Sequence, residues 1–134
     1  MTDTHPLFTV ETVVLVAIGG FAGSNLRHFV GQFLPGIGGT LVVNVFGCVV
    51  LGFLLYEALF SGLFTERTRL IVGTGFLSSL TTYSTFALET ATTTGWLIVG
   101  NVVATYTLGF LGILLGRWLA ARLDSGRSVG GGAD

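Results

Sequence analysis

The sequence predicts an all-α membrane protein of four transmembrane helices, with the third interrupted at mid-membrane. Three observations predict it. The chain is 51% hydrophobic and 10% charged, against roughly 25% charged for an average soluble domain. Its charges are spaced far enough apart to leave four apolar windows. Breaks that each contain a glycine, the first with Pro35 before it, fall between those windows. A soluble domain of this size must cover a large surface with polar groups, and thirteen charged side chains in 134 residues do not suffice. The apolar surplus therefore faces lipid.

Each window is sized for one crossing. Fifteen uncharged residues separate Glu11 from Arg27, and 29 separate Arg27 from Glu57, with His28 among them. Nineteen lie between Arg69 and Glu89, and 27 between Glu89 and Arg117. About 20 apolar residues cross the hydrocarbon layer as a helix, so the first window suffices only with Arg27 in its last turns. The helices are expected at roughly 12–32, 39–60, 69–90 and 96–120. Leu34-Pro35-Gly36 separates the first two, Ser61 to Glu66 the next, and Thr90 to Gly95 the last pair. Residues 1–123 then form one four-helix unit, and 124–134, with a Gly-Gly-Gly run, a disordered tail.

The N-terminus lacks the basic segment of a cleavable signal, because Asp3 and Glu11 are acidic. Cys48 is the sole cysteine, which excludes a disulfide framework. A net charge of −1 with no lysine argues against a nucleic-acid partner. Gly19 with Gly23, and Gly112 with Gly116, have the G-x-x-x-G spacing that lets helix backbones approach in lipid.

The chemistry concentrates in the third window. Seven of the eight residues from Ser78 to Thr85 carry a hydroxyl. In lipid such groups must bond within the protein or line a path for something polar. Serine and threonine also bond back to the helix backbone and loosen it. Together they predict a broken helix beside a cavity. Asn44 sits mid-span in the second window, where an amide is costly unless its donors and acceptors are used. Two roles remain open for it, a bond to neighbouring backbone or an N–H presented to an anion. Arg27 is read as a mixture of helix anchor and vestibule charge.

Three segments occur in order, one per helix: Gly19-Gly-Phe-Ala-Gly with Arg27, Gly39-Thr-Leu-Val-Val-Asn-Val-Phe-Gly, and Gly75-Phe with Leu80-Thr-Thr-Tyr-Ser-Thr-Phe. In these the chain, from about 12 to 120, resembles the CrcB/Fluc family of fluoride channels. The resemblance implies an antiparallel dimer of four-helix subunits with two narrow pores. It implies a structural sodium ion (Na+) at the dimer centre, held by backbone carbonyls that here belong to Ser78 and Thr81. It also places Asn44, Tyr83, Ser84, Thr85 and Phe86 along the fluoride path.

These residue types suit the ion. Fluoride is a strong acceptor, and amide and hydroxyl donors can replace its lost water. Aromatic rings carry a positive edge, so Tyr83 and Phe86 can face an anion without a formal charge that would trap it. The chain departs from the family where Ser78-Ser79 replaces Gly-Gly and Tyr83 replaces Phe. In the last helix, Gly109 and Ile113 stand where the family places pore hydroxyls, and Thr105 and Thr107 are expected to face elsewhere. These losses leave room for a second reading, an accessory, non-conducting subunit. A small multidrug-type exporter would need a carboxylate deep in its first helix, and Glu11, Glu57 and Glu89 all lie near helix ends. No catalytic constellation is present.

Arg67, Arg69, Arg117, Arg122 and Arg127 fall on one side of a four-span chain, with Arg27 towards the other. That bias predicts both termini in the cytoplasm, in the cell membrane. Fixed insertion further predicts that the antiparallel partner is a paralogous subunit of opposite bias.

Overall fold

In the computed structural model, residues 6–130 are described, and they are helical apart from short turns. Helix α1 spans Pro6–Phe33 and α2 spans Ile37–Tyr56, continuing as a π-helical turn, Glu57–Ser61. A short α3, Glu66–Arg69, leads into a π-helical stretch, Leu70–Leu77, and then α4, Ser78–Leu80. Helix α5, Tyr83–Thr92, is followed by α6, Trp96–Gly130. Among the described residues, three helical stretches are long and apolar enough to cross a membrane: Val10–Phe33, Ile37–Ser61 and Trp96–Gly126.

The expected third helix is a series of pieces over Glu66–Thr92. The last helix continues past 120, through the start of the expected tail, to Gly130. Nothing before Gly130 stops it: the Ser125 hydroxyl bonds back to the Ala121 carbonyl at 2.9 Å, and the Arg122 guanidinium lies 4.9 Å over the Trp118 ring one turn earlier. The tail expectation for 131–134 lies outside the described residues.

Each turn contains a glycine with positive φ, at Gly36 (72°), Gly62 (60°) and Gly95 (65°). This region strains any residue with a Cβ. The turn after α2 is also held by charge. Glu57, 1% exposed, accepts from the Phe64 N–H at 2.6 Å and from Arg69 Nε at 3.0 Å. Arg67 pairs with Glu11 at 2.7 Å, joining α3 to α1.

The helices pack as two pairs, α1 along Leu70–Leu80 and α2 along α6. Both G-x-x-x-G motifs lie at these contacts. A Cβ on Gly23 would fall on the Phe76 carbonyl oxygen, and one on Gly116 would fall on that of Val49. Close backbone approach substitutes here for the hydrophobic driving force that lipid removes. The buried core between the pairs is small: Val43, Leu54, Leu77 and Leu80. Phe21, Leu59, Trp96 and Phe110 point outward, each at least two-thirds exposed. Apolar surface on this scale requires lipid or a partner chain.

Candidate ion path at the helix break

The helix stops at Leu80 and restarts at Tyr83, with Thr81 (φ −76°, ψ 154°) and Thr82 (φ −148°, ψ 122°) extended between them. The local sequence accounts for the break. Approaching it, the Ser78 hydroxyl bonds back to the Thr74 carbonyl, and the Thr81 hydroxyl to the Leu77 carbonyl at 2.9 Å. These back-bonds compete with the helical ladder. Beyond it, Thr82 caps α5, its side chain accepting from the Thr85 N–H at 3.2 Å. Gly47 leaves room for the turn, because a Cβ there would collide with the Thr81 methyl group.

Asn44 closes the break from α2. Its Nδ2 donates to the Thr82 carbonyl at 3.0 Å, and its Oδ1 accepts from the Thr82 N–H at 2.8 Å. The amide thus performs the backbone-binding role left open by the sequence. Asn44 also lines the adjoining cleft.

The diverted bonds have a consequence for two carbonyls. In an uninterrupted helix the Thr82 N–H would bond Ser78, and the Thr85 N–H would bond Thr81. Here the first donates to Asn44 and the second to the Thr82 hydroxyl. Among the described residues, neither the Ser78 nor the Thr81 carbonyl receives a backbone donor from across the break. Two freed backbone oxygens at one turn are hard ligands of the kind a small cation takes, so these residues fit a sodium ion.

Two cavities meet at this turn, with Thr82 in the wall of both. The larger is a cleft of about 510 Å³. Asn44, Ser78, Thr81, Tyr83 and Phe86 line it from one side, and Thr105, Tyr106, Gly109 and Ile113 from α6. Among the described residues, no carboxylate, arginine or histidine lines it. Phe86 is 7% exposed, its ring 5.8 Å from Tyr83 and 6.2 Å from Tyr106, the latter nearly edge-to-face at 88°. The smaller cavity, about 250 Å³, holds Arg27, Thr40, Thr85 and Glu89. There the Thr40 hydroxyl donates to Glu89 Oε1 at 3.0 Å, while Glu89 Oε2 is buried without a hydrogen-bond partner.

The candidate residues therefore divide. Asn44, Tyr83 and Phe86 share the larger cleft with Ser78 and Thr81, and Thr85 joins Arg27 in the smaller one. Ser84 lines neither; its hydroxyl lies 3.3 Å from that of Thr82. Thr105 corrects an expectation, because it lines the cleft with Gly109 and Ile113. The spacing i, i+4, i+8 puts all three on one helix face; Thr107 is not among the lining residues.

The sequence alone assigns no site role to Thr82, Thr40, Glu89 or Asn101. Asn101 carries the same signal that singled out Asn44, an amide deep in an apolar span. It is 6% exposed and donates to the Thr90 hydroxyl at 2.7 Å.

Known proteins resemble this chain over most of its length. The family model described as CrcB-like protein, Camphor Resistance (CrcB), matches residues 14–117. A Haloarcula marismortui protein named Fluoride-specific ion channel FluC 1 is 62% identical over 117 residues, covering 87% of this chain and 91% of its own. A protein of the same name from Natronomonas pharaonis is 51% identical, covering 80% and 92%. Fluoride-specific ion channel FluC 2 of Halobacterium salinarum is 44% identical, covering 83% and 88%. The chain belongs to the CrcB family.

Proposed function

We propose that this chain is one subunit of a channel that lets fluoride leave the cell passively across the cytoplasmic membrane. The observation that carries the reading is the cleft at the helix break. It is lined by the Asn44 amide, by Ser, Thr and Tyr side chains and by the Phe86 ring, with no carboxylate, arginine or histidine among its lining residues. A small, strongly hydrated anion needs donors to replace its water, and sites weak enough to leave again. The names of the relatives point to the same ion.

In this reading the pieces from Glu66 to Thr92 make the third of four spans, and the exposed apolar faces meet lipid and an antiparallel partner. Asn44, Tyr83, Ser84, Thr85 and Phe86 serve the fluoride path, and Arg27 draws anions into the smaller vestibule. Ser78 and Thr81 hold a sodium ion through their carbonyls. Bound there, sodium would supply fixed positive charge to a turn whose Ser78 and Thr81 carbonyls receive no backbone donor from across the break.

The bias of arginines supports a reading with both termini in the cytoplasm and a paralogous chain of opposite orientation as the partner. Relatives numbered FluC 1 and FluC 2 are in keeping with paired paralogues. A second reading, an accessory non-conducting subunit, is favoured by Gly109 and Ile113 in the cleft wall, where neither side chain can donate a hydrogen bond. Two experiments test these points. Expression in a fluoride-sensitive cell should restore growth in fluoride, and failure with the paralogue present would refute the channel. Tags on both termini should be reached only from the cytoplasm, whereas equal labelling on both faces would refute the fixed orientation.

A further inference from the structure

We infer that Asn101 on α6 is a positioning residue for Phe86, setting the aromatic wall of the cleft through Thr90. The inference rests on the channel reading above. Asn101 is 6% exposed in a helix long enough to cross lipid. A carboxamide there is costly unless both its ends are bonded. Both are. Its Nδ2 donates to the Thr90 hydroxyl at 2.7 Å, and its Oδ1 accepts from the Thr105 hydroxyl at 3.4 Å. The Thr90 hydroxyl in turn donates to the Phe86 carbonyl at 2.7 Å.

The chain of bonds runs from one cleft wall to the other. Thr105 and Tyr106 lie on α6, and Tyr106 is the ring that meets Phe86 nearly edge-to-face. Helix α5 has only ten residues and follows an extended break. Asn44 fixes the residue before it, and Thr40 holds Glu89 on one flank. Among the described residues, Asn101 to Thr90 is the one side-chain hydrogen bond between α5 and α6. Thr90 stands one turn beyond Phe86, so the two share a face. Fixing the Thr90 hydroxyl against α6 therefore fixes the rotation of α5 that aims the Phe86 ring.

The test uses the assembled protein in liposomes at low protein density. Two quantities are read: the rate at which channel-bearing vesicles release fluoride, and the fraction of vesicles that release any. A loss of folding lowers the fraction, whereas misplacement of Phe86 lowers the rate. Asn101→Ala and Thr90→Val should each lower the rate about tenfold, the scale of one well-made buried hydrogen bond, with the fraction unchanged. Thr90→Ser should keep the rate, and the double variant should be no slower than either single one. A full rate in Asn101→Ala, a loss confined to the fraction, or additive losses would overturn the inference. Hydrogen exchange in detergent gives a readout independent of transport. Residues 83–92 should exchange faster in Asn101→Ala while α1 is unchanged, and equal exchange there would overturn the link. If the unsubstituted protein releases no fluoride, the channel reading fails, and the exchange comparison still decides the role of Asn101.

Discussion

Replacing Asn44 with alanine should undo the helix break while leaving the rest of the molecule assembled. The substitution removes two hydrogen bonds, of 3.0 and 2.8 Å, both to Thr82. Thr82 is only 8% exposed, so its N–H and carbonyl lose partners that water cannot readily replace. Each such unpaired group costs about 1–3 kcal/mol, giving about 2–6 kcal/mol for the pair. Even the lower figure changes a conformational equilibrium about 30-fold. The competing state is close at hand, because the freed Thr82 N–H can return to the Ser78 carbonyl and rebuild the helix through the turn. Closing the turn would withdraw one of the two free carbonyls and rotate Phe86 away from the cleft. The assay is fluoride efflux from proteoliposomes followed with a fluoride electrode, with assembly checked by gel filtration. Flux should fall about 30-fold or more in protein that is still assembled. Asn44→Asp should abolish it, since the carboxylate opposes the Thr82 carbonyl and adds a fixed negative charge. Undiminished flux from Asn44→Ala would refute the idea that the amide holds the break.

Three further outcomes are expected. Phe86→Ile should abolish flux without loss of assembly, because it removes the ring edge and preserves bulk; wild-type flux would remove Phe86 from the path. Gly116→Ala should destabilise the protein by about 1–3 kcal/mol through overpacking, because its Cβ would fall on the Val49 carbonyl; thermal unfolding in detergent reads this, and an unchanged midpoint would contradict the packing of α2 on α6. Gly109→Ser would bring its Cβ to 3.4 Å from Cys48 Sγ, the near limit of ordinary contact, and the added hydroxyl should raise flux from this side of the cleft; lower flux with intact assembly would contradict the accessory reading of Gly109.

The sequence made the membrane setting and the broken third span legible for a physical reason: both are local. Charge spacing reports what a segment can cross, and seven hydroxyls between Ser78 and Thr85 report that the ladder is contested there. Asn44 was legible as a buried amide, and its partner was not, because the bond to Thr82 joins residues 38 apart. Glu89 looked like a helix-end carboxylate and proves to be an inward group bonded to Thr40, 49 residues away. Thr105 was misplaced although its spacing from Gly109 and Ile113 already put it on their face. The Gly-rich composition after Asp124 predicts a tail, whereas α6 continues to Gly130, because composition reports flexibility and not the helix already running into it.

The central claim is that fluoride crosses passively, through uncharged donors and aromatic edges rather than through a titrating carrier. It is tested most directly by fluoride release from liposomes that hold the assembled channel and no pH gradient. With a potassium ionophore present to balance charge, release should be rapid, and a protonophore added to abolish any residual gradient should leave it unchanged. Release that requires an imposed proton gradient, or none with the ionophore present, would contradict it.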